Sequence, residues 1–306
     1  MIESAIDTVR INFNTETLWI LNVVLALIMF GVSLEITPAD FKQLYQKPKP
    51  VLVGILSQFL LLPLLTFILV ILIEPIPSMA LGMFMVAACP GGNISNFISS
   101  LAKGNTALSV TLTANATLMA ILMTPFNLSF WGSLYVPTNT ILKEIAISPI
   151  EMVEVVALIL GIPLLAGMWI NHKYPDLARG LSRFFKGLSL LFFVALIIVV
   201  ILNNWDILTK YIWYVFWIVF LHNLIAFLSG FSLAKLLKLS GPDIRSITVE
   251  TGIQNSGLGL VLIFTFFDGL GGMAVLAAFW GVWHLISGLL LSSCWAYKPI
   301  RKEEVC

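Results

Sequence analysis

The sequence predicts an all-α polytopic membrane protein: nine transmembrane helices arranged as an inverted repeat, with one helix in each half broken partway across. Three observations carry that expectation. Hydrophobic residues make up 59% of the chain and charged residues only 11%, against roughly 25% charged in a soluble domain. Nine stretches reach the ~20 predominantly apolar residues that a helix needs to cross a bilayer. Two of those stretches are interrupted, one by Cys89-Pro90-Gly91-Gly92-Asn93-Ile94-Ser95-Asn96 and the other by Glu250-Thr251-Gly252-Ile253-Gln254-Asn255-Ser256. Interrupted apolar segments at corresponding places in the two halves of a chain mark a midplane transport site.

Residues 1–17 carry Glu3, Asp7 and a lone Arg10, without the basic start and cleavage site of a secretory leader. The first span, Leu18–Ile36, is therefore expected to direct insertion. The second, Val51–Ile73, carries Gln58 as its lone amide, either a ligand or glue between helices worth roughly 0.6 kcal/mol. The third, Ser78–Leu101, holds the first break, where Pro90-Gly91-Gly92 end one helix and Asn93, a good N-cap, starts another. Only Lys103-Gly104-Asn105 separates it from the fourth, Thr106–Phe130, so the two form a hairpin. Ser109 and Thr113, four residues apart, share one face of the fourth span. The fifth, Ile150–Ile170, and the sixth, Phe184–Leu202, are uninterrupted. The seventh, Tyr211–Leu236, contains His222-Asn223, the eighth, Ile247–Phe267, contains the second break, and the ninth, Gly272–Ala296, contains His284. With no second titratable group placed near them by spacing, these histidines read as structural hydrogen-bonding groups in preference to a proton relay. Trp19, Trp131, Trp205 and Trp295, near span ends, suit the membrane interface. Cys89, Cys294 and Cys306 have no disulfide or metal-ligand spacing and read as thiols. Residues 298–306 are left as a tail.

Alternating the loops between two sides collects 14 of the 17 basic residues on one side and leaves Arg10, Lys143 and Lys210 opposite. By the positive-inside rule the first side, with the C-terminal tail, is cytoplasmic and the N-terminus lies outside, periplasmic if the membrane is a bacterial inner membrane. A miscount of one span would scramble this segregation, so the charge pattern supports an odd number of spans. The third and eighth spans then cross in opposite directions. Each has a polar break and each is followed by a hairpin helix rich in small residues, the pattern of an inverted repeat. Spans five to nine make one complete repeat, and spans one to four make one that lacks its first helix.

Glu250 is the only acidic residue deep within a span. A charged carboxylate at the bilayer centre costs about 2.5–3.5 kcal/mol on insertion scales, and no lysine or arginine lies at matching depth to offset it. Its counterpart is then a bound cation or a proton; a protonated Glu250 hydrogen-bonded to a neighbouring helix is the structural alternative. Ser95, Asn96, Ser109, Thr113, Gln254 and Asn255 offer neutral oxygens with no soft or imidazole ligand among them, a set suited to a hard alkali cation. Carbonyls freed at a helix break add further oxygen ligands for Na⁺. Helices that restart at Asn93 and near Asn255 aim their positive dipole ends at the breaks, which favours an anionic substrate. No nucleotide-binding loop, nucleophile constellation or basic nucleic-acid surface appears, so neither an enzyme nor a nucleic-acid partner is expected.

Several segments together resemble the bile acid:sodium symporter family: Ala88-Cys89-Pro90-Gly91-Gly92-Asn93-Ile94-Ser95-Asn96, Leu101-Ala102-Lys103-Gly104-Asn105, Ala107-Leu108-Ser109-Val110 and Val249-Glu250-Thr251-Gly252-Ile253-Gln254-Asn255-Ser256-Gly257-Leu258. Leu221-His222-Asn223 and Val282-Trp283-His284 extend the match, which runs in register through residues 20–297. The resemblance implies a transmembrane transporter domain over 18–297. A core (51–130 and 211–297) would hold the two broken helices crossing each other, beside a panel (18–36, 150–170 and 184–202). It implies one sodium site on Ser95, Asn96, Ser109, Thr113 and Glu250. A second would use Gln58, Glu250 and Gln254 with backbone oxygens of Thr251 and Ile253, which moves Gln58 from glue to ligand. Substrate is expected between panel and core near Asn93, Asn255 and His284. Two departures stand out: the chain begins one helix later than ten-span bacterial members, and Leu285 stands where some of those members have a substrate-contacting asparagine. The implied function is sodium-coupled secondary active import of an organic anion, bile acid-like or a small carboxylate, with two Na⁺ co-transported by alternating access. A proton-coupled carrier of the same fold and a non-transporting membrane receptor or binding protein are the alternatives.

Overall fold

The computed structural model describes residues 15–92, 94–146, 148–203 and 205–297. Asn93, Cys306, most of the 1–17 segment and the 298–306 tail lie outside them, as do the side chains of Trp19 and Trp205. Among the described residues the regular structure is all helical: α1 Thr15–Ser33, α2 Pro38–Gln46, α3 Pro48–Ile73, α4 Pro77–Ala88, α5 Ile94–Leu101, α6 Thr106–Leu134, α7 Val136–Ile145, α8 Pro149–Lys173, α9 Pro175–Asn203, α10 Trp205–Leu236, α11 Gly241–Gly252, α12 Ser256–Phe266 and α13 Gly271–Tyr297. Five stretches within these, Pro48–Ile73, Thr106–Leu134, Pro149–Lys173, Ile212–Leu236 and Gly271–Tyr297, are long and apolar enough to cross a membrane.

Both expected breaks are present, and local chemistry explains each. Pro90 disfavours the helical conformation at the residue before it, and Cys89 is extended at φ −70°, ψ 154°, ending α4. Gly252 ends α11, and Ile253 is extended at φ −108°, ψ 96°. Where backbone lies buried within a membrane protein its freed polar groups need partners from the protein itself. Here each break supplies the other. The Gly92 N–H donates to the Ile253 carbonyl at 2.7 Å, and the Asn255 N–H donates to the Pro90 carbonyl at 2.9 Å. These bonds frame an antiparallel bridge between Gly91 and Gln254, so the two broken helices meet at their interruptions. α4 is buried from Ser78 to Ala88 and α12 from Gly257 to Phe264. These halves of the broken helices run through the protein interior, whereas α5 exposes Phe97 and α3 and α8 expose Leu60, Leu72, Ile162 and Leu165.

Two unbroken helices carry a wide turn just before a proline. In α3 the Leu62 N–H reaches back to the Ser57 carbonyl, and in α8 the Ile162 N–H reaches the Ala157 carbonyl, immediately ahead of Pro63 and Pro163. A proline lacks the N–H that would serve the carbonyl four residues earlier. For α3 that carbonyl is Phe59, and the Asn127 Nδ2 of α6 donates to it at 3.1 Å. The Trp131 Nε1–H donates in turn to Asn127 Oδ1.

The chain departs from expectation at three places. α2 and α7 are additional short helices between long ones, with Pro38 as the first residue of one and Pro137 as the second of the other, in the first turn where proline is tolerated. The eighth span was expected from Ile247, yet α11 begins at Gly241, where Ser240 caps it by accepting the Asp243 N–H. As a result Arg245, which charge counting places in a cytoplasmic loop, is buried within α11, donating to the Ala102 carbonyl at 2.7 Å and the Trp295 carbonyl at 3.2 Å.

Candidate cation and substrate site

Glu250 lies in the last turn of α11 and is only 3% exposed. The first turn of α5 brings Ser95 and Asn96 beside it, and one face of α6 brings Ser109 and Thr113. Ser95 Oγ lies 2.6 Å from Glu250 Oε2, Ser109 Oγ 3.1 Å from the same oxygen, and Thr113 Oγ1 2.7 Å from Oε1. Asn96 Oδ1 is 2.9 Å from Ser109 Oγ and 3.2 Å from Thr113 Oγ1. All five residues expected at the first sodium site are thus in one cluster, with Ser95, Ser109, Thr113 and Glu250 buried and Asn96 half-buried.

A proton count sets its chemistry. Ser95, Ser109 and Thr113 have one hydroxyl proton each, yet with the Ser109 carbonyl included they stand within hydrogen-bond distance of an acceptor six times. The lone pairs of the two Glu250 oxygens and Asn96 Oδ1 outnumber the three hydroxyl protons available to them. A carboxylate amid surplus lone pairs, out of reach of water, attracts a positive charge, and hard neutral oxygens suit Na⁺ better than a transition metal.

The second expected group also converges, but it is paired internally. Gln58 Nε2 donates to Gln254 Oε1 and to the Cys89 carbonyl, both at 2.8 Å. Gln254 Nε2 donates back to Gln58 Oε1 at 3.1 Å and to the Thr251 carbonyl at 2.6 Å. The Ile253 carbonyl accepts from Gly92 across the bridge.

Among the residues expected to meet substrate, Asn93 lies outside the described residues. Asn255 caps α12, its Oδ1 accepting the Leu258 N–H at 3.0 Å, while its Nδ2 faces Met29 Sδ of α1 at 3.7 Å. His284 is buried and its Nδ1 has no hydrogen-bond partner among the described residues. It lies on α13 between Gly281, which faces Ser256, and Gly288, which faces Ile98 and Ile253. His222 holds Thr66 Oγ1 through Nε2 at 2.8 Å, a structural bond of the kind expected.

Glycine in this region answers to close approach. A Cβ on Gly91 would lie 2.5 Å from Glu250 Oε1, and one on Gly92 would lie 3.1 Å from the Gln254 carbonyl oxygen. The targets of three polar residues, at the breaks and at the wide turn of α3, emerge only from the structure. Thr124 Oγ1 donates to the Ala88 carbonyl at 2.7 Å, Asn127 serves Phe59, and Asn223 Nδ2 donates to the Gly252 carbonyl at 2.8 Å. The available signal was a hydroxyl or amide in an apolar span, which says nothing of its target.

The model for the Sodium Bile acid symporter family matches residues 22–211. The uncharacterized sodium-dependent transporter YocS of Bacillus subtilis is 34% identical over 283 residues, covering 92% of this chain and 85% of that protein. A probable sodium/metabolite cotransporter of Arabidopsis thaliana chloroplasts is 29% identical, covering 92% of this chain and 67% of that protein. The ileal sodium/bile acid cotransporter of Mus musculus is 29% identical over 80% of this chain and 69% of its own. With the family model spanning most of the chain and a relative this similar over nearly its whole length, the chain belongs to the sodium bile acid symporter family.

Proposed function

We propose that the protein is a sodium-coupled secondary active importer of an organic anion, bile acid-like or a small carboxylate. Two Na⁺ accompany each anion. The observation that carries the reading is the oxygen-rich, proton-poor cluster around Glu250, formed where two helix breaks meet. One ion occupies that cluster through Ser95, Asn96, Ser109, Thr113 and Glu250. The second occupies Gln58, Glu250, Gln254 and the Thr251 and Ile253 carbonyls, displacing part of the Gln58–Gln254 pairing. The anion sits beside the restarted helices, near Asn93, Asn255 and His284. The relatives, named as sodium-dependent transporters and cotransporters rather than enzymes, support this choice.

The reading includes nine spans in an inverted repeat, N-terminus outside and C-terminus cytoplasmic in a multi-pass cell membrane. Paired features support the repeat. Hairpin Gly104 packs on the Pro242 carbonyl at the start of α11, and Gly272, beginning the helix after the other break, packs on Ser78 at the start of α4. A panel of α1, α8 and α9, which pack on one another, rocks against a core carrying both breaks, exposing the site alternately. The Asn255–Met29 contact spans that division.

Sodium titration of purified protein by calorimetry, with choline replacing sodium as control, tests the reading beside Glu250→Ala. Saturable sodium binding in the wild type and its loss in the variant are expected. A folded wild type with no sodium-specific heat, or uptake driven by a pH gradient without sodium, would overturn it in favour of proton coupling.

A further inference from the structure

Three consecutive carbonyls at the second break point to three different partners. Thr251 O accepts from Gln254 Nε2, Gly252 O from Asn223 Nδ2 of α10, and Ile253 O from the Gly92 N–H. Two of these three belong to the proposed second sodium group. The middle one is drawn the other way by a buried side chain outside that group. Asn223 is itself oriented, because Ser287 Oγ on α13 donates to its Oδ1 at 2.6 Å. A carboxamide has one accepting and one donating end. A hydroxyl proton on Oδ1 leaves the Nδ2 end for Gly252, and the reversed amide would set two oxygens against each other.

The packing holds this geometry from the same face of α10. A Cβ on Gly252 would run into the Phe227 ring, and one on Gly230 would lie 2.9 Å from the Ile247 carbonyl oxygen. Asn223, Phe227 and Gly230 follow the three- and four-residue spacing of one helix face, so α11 rests against α10 along its last turns. The first half has a counterpart: Gln58, on the helix preceding the first break, donates to the Cys89 carbonyl at 2.8 Å just as Asn223 serves Gly252.

We infer that Asn223, oriented by Ser287, is a positioning residue for the second sodium site, holding the Gly252 peptide so that the Thr251 and Ile253 carbonyls face the crossing. The inference rests on the proposed function. It also ties that site to α13, because Ser287 lies one turn beyond His284 and approaches its carbonyl at 3.2 Å. The two helix-preceding amides thus divide the work: Gln58 meets the ion and Asn223 sets the backbone that meets it.

The test is sodium chloride titration of the full-length purified protein by calorimetry, against choline chloride, for wild type, Ser287→Ala, Ser287→Thr and Asn223→Asp. Two sodium steps are expected in the wild type. Ser287→Ala and Asn223→Asp should weaken one step by about fivefold or more, the value of one net hydrogen bond, and leave the other in place. Ser287→Thr, which keeps the hydroxyl, should restore wild-type binding. A merely structural role would weaken both steps together. Equal losses at both steps, no loss at either, or no rescue by threonine would overturn the inference while leaving sodium coupling intact. A wild type without sodium steps would instead remove the functional reading on which it rests.

Discussion

Gly91→Ala is the smallest change that should uncouple the cation cluster from the crossing. Gly91 has no positive φ, so alanine fits the backbone and the effect is steric. Its methyl carbon would stand 2.5 Å from Glu250 Oε1 and 3.0 Å from Cδ, whereas ordinary contact begins near 3.4 Å. The carboxylate must retreat by about 0.9 Å, more than a packing fluctuation absorbs in a close-packed interior. That retreat shifts Oε1, which Thr113 Oγ1 now meets at 2.7 Å, out of its place in the cluster. A cation that loses its contact with the displaced carboxylate oxygen forfeits an interaction comparable to one hydrogen bond to a charged group, about 1.5–3 kcal/mol, or roughly 10- to 150-fold in sodium affinity. Gly259→Ala is the matched control, since its Cβ would meet Cys89 Sγ at an ordinary 3.5 Å. Calorimetric sodium titration and detergent-phase thermal unfolding should separate the two: Gly91→Ala loses sodium affinity and Gly259→Ala does not. Wild-type sodium affinity in Gly91→Ala would refute the claim that Glu250 is held against the first break.

Two further outcomes follow from the same geometry. Asn127→Leu strips the Phe59 carbonyl of its donor and should lower unfolding stability by about 1–3 kcal/mol; adding Pro63→Ala, which supplies an N–H at residue 63, should recover much of that loss. No recovery in the double variant would mean that Asn127 acts by packing instead. Two Na⁺ entering with one monoanion carry net positive charge inward, so substrate-dependent uptake into proteoliposomes should generate current and accelerate when the interior is held negative. Uptake indifferent to membrane potential would argue against the two-ion stoichiometry.

Much of the architecture was legible because it is local. Runs of ~20 apolar residues mark candidate membrane helices, and Pro90 followed by two glycines disfavours continuing the helix. A lone carboxylate with hydroxyls and amides in otherwise apolar segments identified Glu250 and its oxygen neighbours by chemistry. Charge, however, misplaced Arg245, because a basic residue near a span end looks like a loop residue until Ala102 and Trp295 present their carbonyls to it. The short helices α2 and α7 were missed because they are too short and too polar to read as spans.

The sequence by itself determined which segments are apolar enough to be candidate spans, where two of them break, and which oxygen-bearing side chains lie within them. Only the tertiary structure decided that the two breaks satisfy each other, that Asn127 serves Phe59, and that Asn223 turns the Gly252 carbonyl toward α10. The reason is physical: a helix break depends on the residues at the break, whereas the partner of a freed backbone group depends on which distant segment packing brings within ~3 Å of it.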